Sequence, residues 1–188
     1  MAVNSGNVLA FESPPGACVG NLVENPGFED GLASWAITNG GLVGGIEPHE
    51  GSWAAGLGTC GRNRQVSTLE QDIRIPEGEC GRFFALTFQL AGRWKFPASL
   101  QVSLTWLDSQ RQPLGTGAWL YIPRRAVGNG SQGSWNTYSL ITTEAPARAC
   151  WAQLRFVKSG GYRRRNFAVI DDVILVGALP TCFPGGSC

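Results

Sequence analysis

The stretches Phe83–Gly92 (FFALTFQLAG), Leu100–Leu107 (LQVSLTWL) and 150–157 (CWAQLRFV) decide the fold class of this chain. In the first, Phe84, Leu86, Phe88 and Leu90 alternate with Ala85, Thr87, Gln89 and Ala91. In the second, Leu100, Val102, Leu104 and Trp106 alternate with Gln101, Ser103 and Thr105, and in the third Cys150, Ala152, Leu154 and Phe156 alternate with Trp151, Gln153 and Arg155. Successive side chains of a strand point to opposite faces, so a strict period of two marks a strand buried on one face and wet on the other. No window shows a convincing 3.6-residue period. Between the apolar runs lie clusters of turn chemistry: NPG at 25–27, RIPEGECG at 74–81, DSQRQ at 108–112, VGNGSQGS at 127–134, EAPAR at 144–148 and SGG at 159–161. Many short strands at roughly 8 to 12 residue spacing predict an antiparallel β-sandwich or jelly roll.

Composition agrees. The 188 residues include 26 Gly, 11 Pro and 7 Trp, and only 15% are charged, against about 25% in a typical globular chain. That excludes a charged helical bundle, a coiled coil and a long disordered charged tail. The net charge of +1 provides no broad field toward nucleic acid or an anionic membrane. All 15 basic residues except Lys95 and Lys158 are arginines, which favours fixed, planar hydrogen-bonding contacts. No run approaches 18 apolar residues, so no membrane-spanning helix is expected. The opening MAVNSGNVLAFESPPG has neither the basic start nor the apolar centre of a secretory signal. The chain is therefore expected to carry an N-terminal extension over 1–20, one domain over 21–176 and a Cys-containing tail over 177–188.

The order NLVENPGFEDGLASW (21–35), EPHEGSWAAGLG (47–58), LEQDIRIPEG (69–78), SWNTYSL (134–140), EAPARACWAQLRF (144–156) and AVIDDVILV (168–176) resembles the β-jelly-roll carbohydrate-binding modules of the CenC-like type, a galactose-binding-like sandwich. NPGFE and IDDV carry most of that resemblance. The chain is also similar to domains that precede triple-helix repeats on surface proteins of spore-forming bacteria, for which no sugar ligand is generally assigned. The resemblance to the sugar-binding modules implies a structural calcium joining the first strand to the last. Glu29 and Asp171 match its acidic ligands, and Glu50 and Trp53 match loop residues that give backbone carbonyls. Calcium takes six to eight oxygens at about 2.3–2.6 Å, and such a set can supply several. Alternation is expected to turn Asp172 away from Asp171, leaving only one of the two for the ion.

A sugar presents an apolar ring face and polar edges, so its site pairs an aromatic platform with amides, hydroxyls and arginine. Trp35, Trp53, Trp106 and Trp135 fall at positions expected to pack in the core or in loops. The polar parity of the strands instead offers Gln89, Gln101, Ser103, Gln153 and Arg155, with Trp151 on the same parity and Trp94, Trp119 or Tyr121 near strand ends. This is the candidate carbohydrate face.

No catalytic centre is expected. His49, the only histidine, sits in a Pro-His-Glu turn. A glycosidase needs two carboxyl groups facing each other across a groove, about 5–9.5 Å apart. Glu70 and Asp72 instead lie side by side on one strand, where the simplest reading is charge on an exposed edge. The basic run at 163–166 (RRRN) lacks the interleaved aromatics and wider basic field of a nucleic-acid site.

Cys60, Cys80 and Cys150 fall in or beside turns of the domain, whereas Cys18, Cys182 and Cys188 fall in the two tails. Six cysteines allow 15 pairings, and spacing does not choose among them. Tail cysteines are well placed to join one chain to another. Two functions follow. The first is a non-catalytic subunit of a disulfide-linked extracellular or spore-surface assembly that binds copies of itself through its tails. The second is a carbohydrate-binding module whose partner is a polysaccharide or other glycan.

Overall fold

The computed structural model describes residues 20–44, 48–58, 66–76, 83–92, 97–130, 133–159 and 167–178. Trp94, the 163–166 run and Cys18, Cys60, Cys80, Cys182 and Cys188 lie outside the described residues.

Eleven strands are described in chain order: β1 (Ala36–Thr38), β2 (Gly40–Val43), β3 (Ala54–Leu57), β4 (Ser67–Arg74), β5 (Phe83–Gly92), β6 (Leu100–Leu107), β7 (Pro113–Ile122), β8 (Gly128–Asn129), β9 (Asn136–Ile141), β10 (Trp151–Lys158) and β11 (Ala168–Ala178). A short 3-10 turn at Arg124–Ala126 is the only helical segment among the described residues. The strands form two sheets. One has the order β1-β4-β10-β6-β7, and the other runs β2-β3-β11-β5-β8, with β9 also pairing β5. Apart from the parallel β5–β8 contact, every strand pair is antiparallel. The expected all-β sandwich of jelly-roll type is the fold observed.

Period two explains the core. Phe84, Leu86, Phe88 and Leu90 of β5 face Leu100, Val102, Leu104 and Trp106 of β6 and Ala152, Leu154 and Phe156 of β10 across the sandwich, all buried. Phe156 meets Phe88 edge-on at 5.2 Å and Trp35 at 6.4 Å, tying the two sheets together. Trp35 and Trp106 are buried as their sequence positions indicated.

The NPGFE segment is a plug held by side chains. Asn25, at φ 47°, donates to the carbonyls of Gly31 and Ala33 and accepts from Asp30 N–H. Phe28, at φ 60°, is fully buried against Trp35, with ring centroids 5.3 Å apart. Two amide side chains fasten this segment to the sheets. Buried Gln71 accepts from Glu24 N–H and donates to Glu24 O, both at 2.9 Å, while Asn21 donates to Val173 O and accepts from Leu175 N–H. The buried Gln71 amide is thereby satisfied, avoiding the cost of an unpaired polar group.

Two local expectations change. Strand β4 is not a bare edge: β1 covers it at 68–70 and β10 pairs it along 67–74. Strict alternation also fails at IDDV, because a register shift separates Asp171 from Ile174 and Asp172 takes φ 45°. An inserted residue of this kind bends the strand and re-aims its side chains.

Candidate functional site

The solvent-facing side of the five-stranded sheet gathers most of the expected sugar-contacting residues. Register places them in rows across the strands. One row runs Glu70 (β4), Arg155 (β10), Ser103 (β6), Trp119 (β7), and the next runs Thr68, Val157, Gln101, Tyr121. On the other side of the first row stand Asp72, Gln153 and Thr105, followed by Arg74 and Trp151. Trp119 is 60% and Tyr121 51% exposed. Both are turned outward because Ala118, Leu120 and Ile122, of the other parity, face the core.

Both carboxylates of the two central rows, Glu70 and Asp72, are paired. Arg155 Nε lies 3.0 Å from Glu70 Oε1, and Gln153 Nε2 donates to Asp72 Oδ1 at 3.1 Å. Arg111, from the turn after β6, reaches Asp72 Oδ2 and lays its guanidinium 3.6 Å from the centre of the Trp151 ring. Glu70 and Asp72 thus each hold an arginine, rather than facing each other across a cleft.

Gln89 does not belong to this set. It lies on the outer face of the six-stranded sheet, opposite Thr137, whose hydroxyl donates to Gln89 Oε1 at 3.0 Å. Period two assigns a residue to a wet face, but the choice between two sheets depends on long-range pairing. Sequence reading also missed Arg111, since DSQRQ registers only as turn chemistry.

The acids expected to hold calcium sit at the junction of NPGFE, the 48–53 loop and β11. Glu29 Oε1 accepts from the N–H groups of Ser52 (2.8 Å) and Trp53 (2.9 Å). Gly51 takes φ 69°, a left-handed conformation that favours glycine, and a Cβ on it would press on that oxygen at 2.3 Å. Asp171 is fully buried and accepts from His49 N–H (2.9 Å), Glu50 N–H (3.5 Å) and Asp172 N–H (2.9 Å). Burial and, after it, the charge of Asp172 push its carboxyl up to about 7, against the opposing pull of those hydrogen bonds. His49 Nδ1 meets Asp172 Oδ2 at 2.5 Å, and its ring stands edge-on to Trp135 at 5.9 Å.

Two features of this geometry bear on the implied ligand set. Glu50 and Trp53 meet these carboxylates through their N–H groups. The bulge also brings both aspartates to the same place: a Cβ on Gly27 would lie 3.8 Å from Asp171 Oδ1 and 3.6 Å from Asp172 Oδ1. Among the described residues no three His, Cys, Asp or Glu groups form a metal-binding cluster. The chemistry of the donors still suits a hard cation, since buried carboxylate oxygen is crowded by a second carboxylate. Trp53, expected to pack in a loop, is 41% exposed beside Gly44. Cys150 is a free thiol just before β10.

Comparison with known proteins supports the fold. The sequence matches no protein-family model, and no curated protein is similar to it. Solved structures do match. The enzymatically active domain of tailspike protein 4 from bacteriophage CBA120 is 22% identical with a TM-score of 0.62, covering 82% of this chain, which spans about a fifth (21%) of the tailspike chain. TmCBM61, solved with β-1,4-galactotriose, is 17% identical with a TM-score of 0.57, over 84% of this chain and 99% of its own. The CBM22-1 and GH10 modules of Clostridium thermocellum xylanase 10B, solved with xylohexaose, are 15% identical with a TM-score of 0.56, covering 91% of this chain and 30% of theirs. The chain shares the jelly-roll fold of carbohydrate-binding modules. The same fold also occurs in neighbours that are enzymes.

Proposed function

We propose that this chain binds a carbohydrate, without transforming it, on the exposed face of the five-stranded sheet. The observation that carries the reading is the row Glu70, Arg155, Ser103, Trp119: an open indole beside a small residue, with a guanidinium on the next strand and its paired carboxylate on the strand after that. The apolar face of a pyranose ring stacks on the indole, and its hydroxyls hydrogen-bond Arg155, Glu70, Gln101 and Gln153. A paired arginine and carboxylate offers both donors and acceptors to hydroxyls while leaving no unmatched charge. Binding modules of the same fold, one solved with a galactotriose and one with a xylohexaose, support this reading. The arginine pairing of Glu70 and Asp72 supports a non-catalytic role. Pull-down on insoluble polysaccharides tests the proposal, with Trp119→Ala and Arg155→Ala as probes: retention lost in both variants supports it, and retention unchanged by both rejects this face.

Calcium at the junction is a separate proposal. Glu29 and Asp171, with backbone carbonyls of Glu50 and Trp53, would hold it, and the ion would offset the charge of buried Asp171 beside Asp172. Assembly through disulfides is another, and it rests on Cys18, Cys60, Cys80, Cys150, Cys182 and Cys188, with non-reducing electrophoresis as its test. An extracellular, cell-surface or spore-surface location is proposed with them, as the setting that suits a glycan-binding or a disulfide-linked role. Among the described residues no helix is long and apolar enough to cross a membrane.

A further inference from the structure

We infer that Arg111 sets the length of the carbohydrate face by strapping down Trp151 and withdrawing it from the ligand. The inference rests on the carbohydrate reading above and adds to it a residue that decides how much of a glycan chain is held.

The strap begins in the turn between β6 and β7. Asp108 builds this turn: its Oδ1 accepts from Gln110 N–H at 2.8 Å and Gln112 N–H at 2.9 Å, and its carbonyl accepts from Arg111 N–H at 3.1 Å. Arg111 itself sits at φ 62°, a left-handed conformation that a side chain with a Cβ rarely adopts and that glycine or asparagine normally supplies. A long charged residue at such a position is unfavourable for the turn alone. Its side chain does something the turn does not need. It runs back over the sheet, passes across the start of β10, and reaches Asp72 on β4, two strands away from the strand it followed.

On the way its guanidinium covers the Trp151 ring at 3.6 Å from the centroid. Asp72 anchors the far end, and its other oxygen is held by Gln153. A guanidinium stacked on an indole takes the ring face that a sugar needs. Of the two tryptophans on this side of the sheet among the described residues, Trp119 is open and Trp151 is covered by the guanidinium. Trp151 lies four residues from Arg155 along β10, about 13 Å at the usual strand rise. The strap therefore removes from the usable face the row next to the β6–β7 turn, where Trp151 stands opposite Leu107, and the site holds a short glycan segment centred on Trp119 and Tyr121.

Two measurements on the full chain test this. The first needs no ligand: hydroxyl-radical oxidation of each tryptophan, read by peptide mass spectrometry, in the wild type, Arg111→Gly and Asp72→Asn. Glycine suits φ 62°, so Arg111→Gly removes the side chain while easing the turn. Trp151 should oxidise more slowly than Trp119 in the wild type and faster in both variants, with Trp119 unchanged. An unchanged Trp151 rate in Arg111→Gly overturns the strap. The second measures affinity for xylo- and β-1,4-galacto-oligosaccharides of increasing length. In the wild type affinity should level off with length, and in Arg111→Gly the longest oligosaccharide should gain about threefold to fivefold, the value of the exposed cation–π contact exchanged for a sugar. A loss of affinity in Arg111→Gly instead makes Arg111 a ligand contact and overturns the inference. If no oligosaccharide binds either protein, the carbohydrate reading fails, and the oxidation rates alone decide whether Trp151 is strapped.

Discussion

Ser103 lies directly opposite Trp119 in the β6–β7 ladder. A short hydroxymethyl beside an indole leaves one side of the ring without a tall neighbour, and the ring stays exposed. An aromatic stacking contact is worth about 0.5–1.5 kcal/mol beyond area burial, so Trp119→Ala should weaken glycan binding about tenfold. The melting temperature should hardly move, because the ring contributes little to the core. Affinity electrophoresis beside differential scanning calorimetry reads both.

Phe156 joins the sheets through Phe88 and Trp35, and its ring is fully buried. Phe156→Ala removes the ring and leaves a cavity between two sheets that cannot both collapse into it. The expected loss is about 3–5 kcal/mol, measured as a fall in the urea midpoint at unchanged slope.

These two residues mark what sequence alone could read. Phe156, like the inward set of β5 and β6, announces itself by alternation, and the sandwich follows from counting such runs. Gln89 and Gln101 look identical at that level. Only the pairing of β5 with β9 and β11, and of β6 with β7 and β10, puts them on opposite outer faces. Asp172 was hidden by a bulge that alternation does not anticipate. Arg111 was hidden because its reach depends on where β4 lies relative to the β6–β7 turn, a relation between segments some 40 residues apart.

Asp171 makes stability depend on pH. Its carboxyl is pushed up to about 7 in the fold, while an unfolded aspartate titrates near 3.9. Between those values the native state binds the proton that the unfolded state has lost, so stability is greatest at low pH in this window and falls as pH rises from about 4 to about 7. Urea titrations at stepped pH in the presence of a chelator should show this decline, and Asp171→Asn should flatten it. A midpoint that rises through the window would contradict the assignment.

Calcium should reverse that behaviour near neutrality. An ion bound only by the native state adds about 2.7 kcal/mol when present at a hundred times its dissociation constant. Chelation with EDTA should lower the melting temperature at pH 7, and the Glu29→Gln, Asp171→Asn double variant should lose the calcium response. A melting temperature indifferent to EDTA and to added calcium rejects the ion and leaves the 48–53 loop fastened by its amide hydrogen bonds alone.

The central claim is tested most directly by isothermal titration of the full chain with xylo- and β-1,4-galacto-oligosaccharides, run beside depletion on a panel of insoluble polysaccharides, for wild type and Trp119→Ala. The account expects saturable binding to at least one glycan, about tenfold weaker in the variant, with both proteins equally stable. Absence of binding to every glycan, or binding that Trp119→Ala leaves untouched, would contradict it.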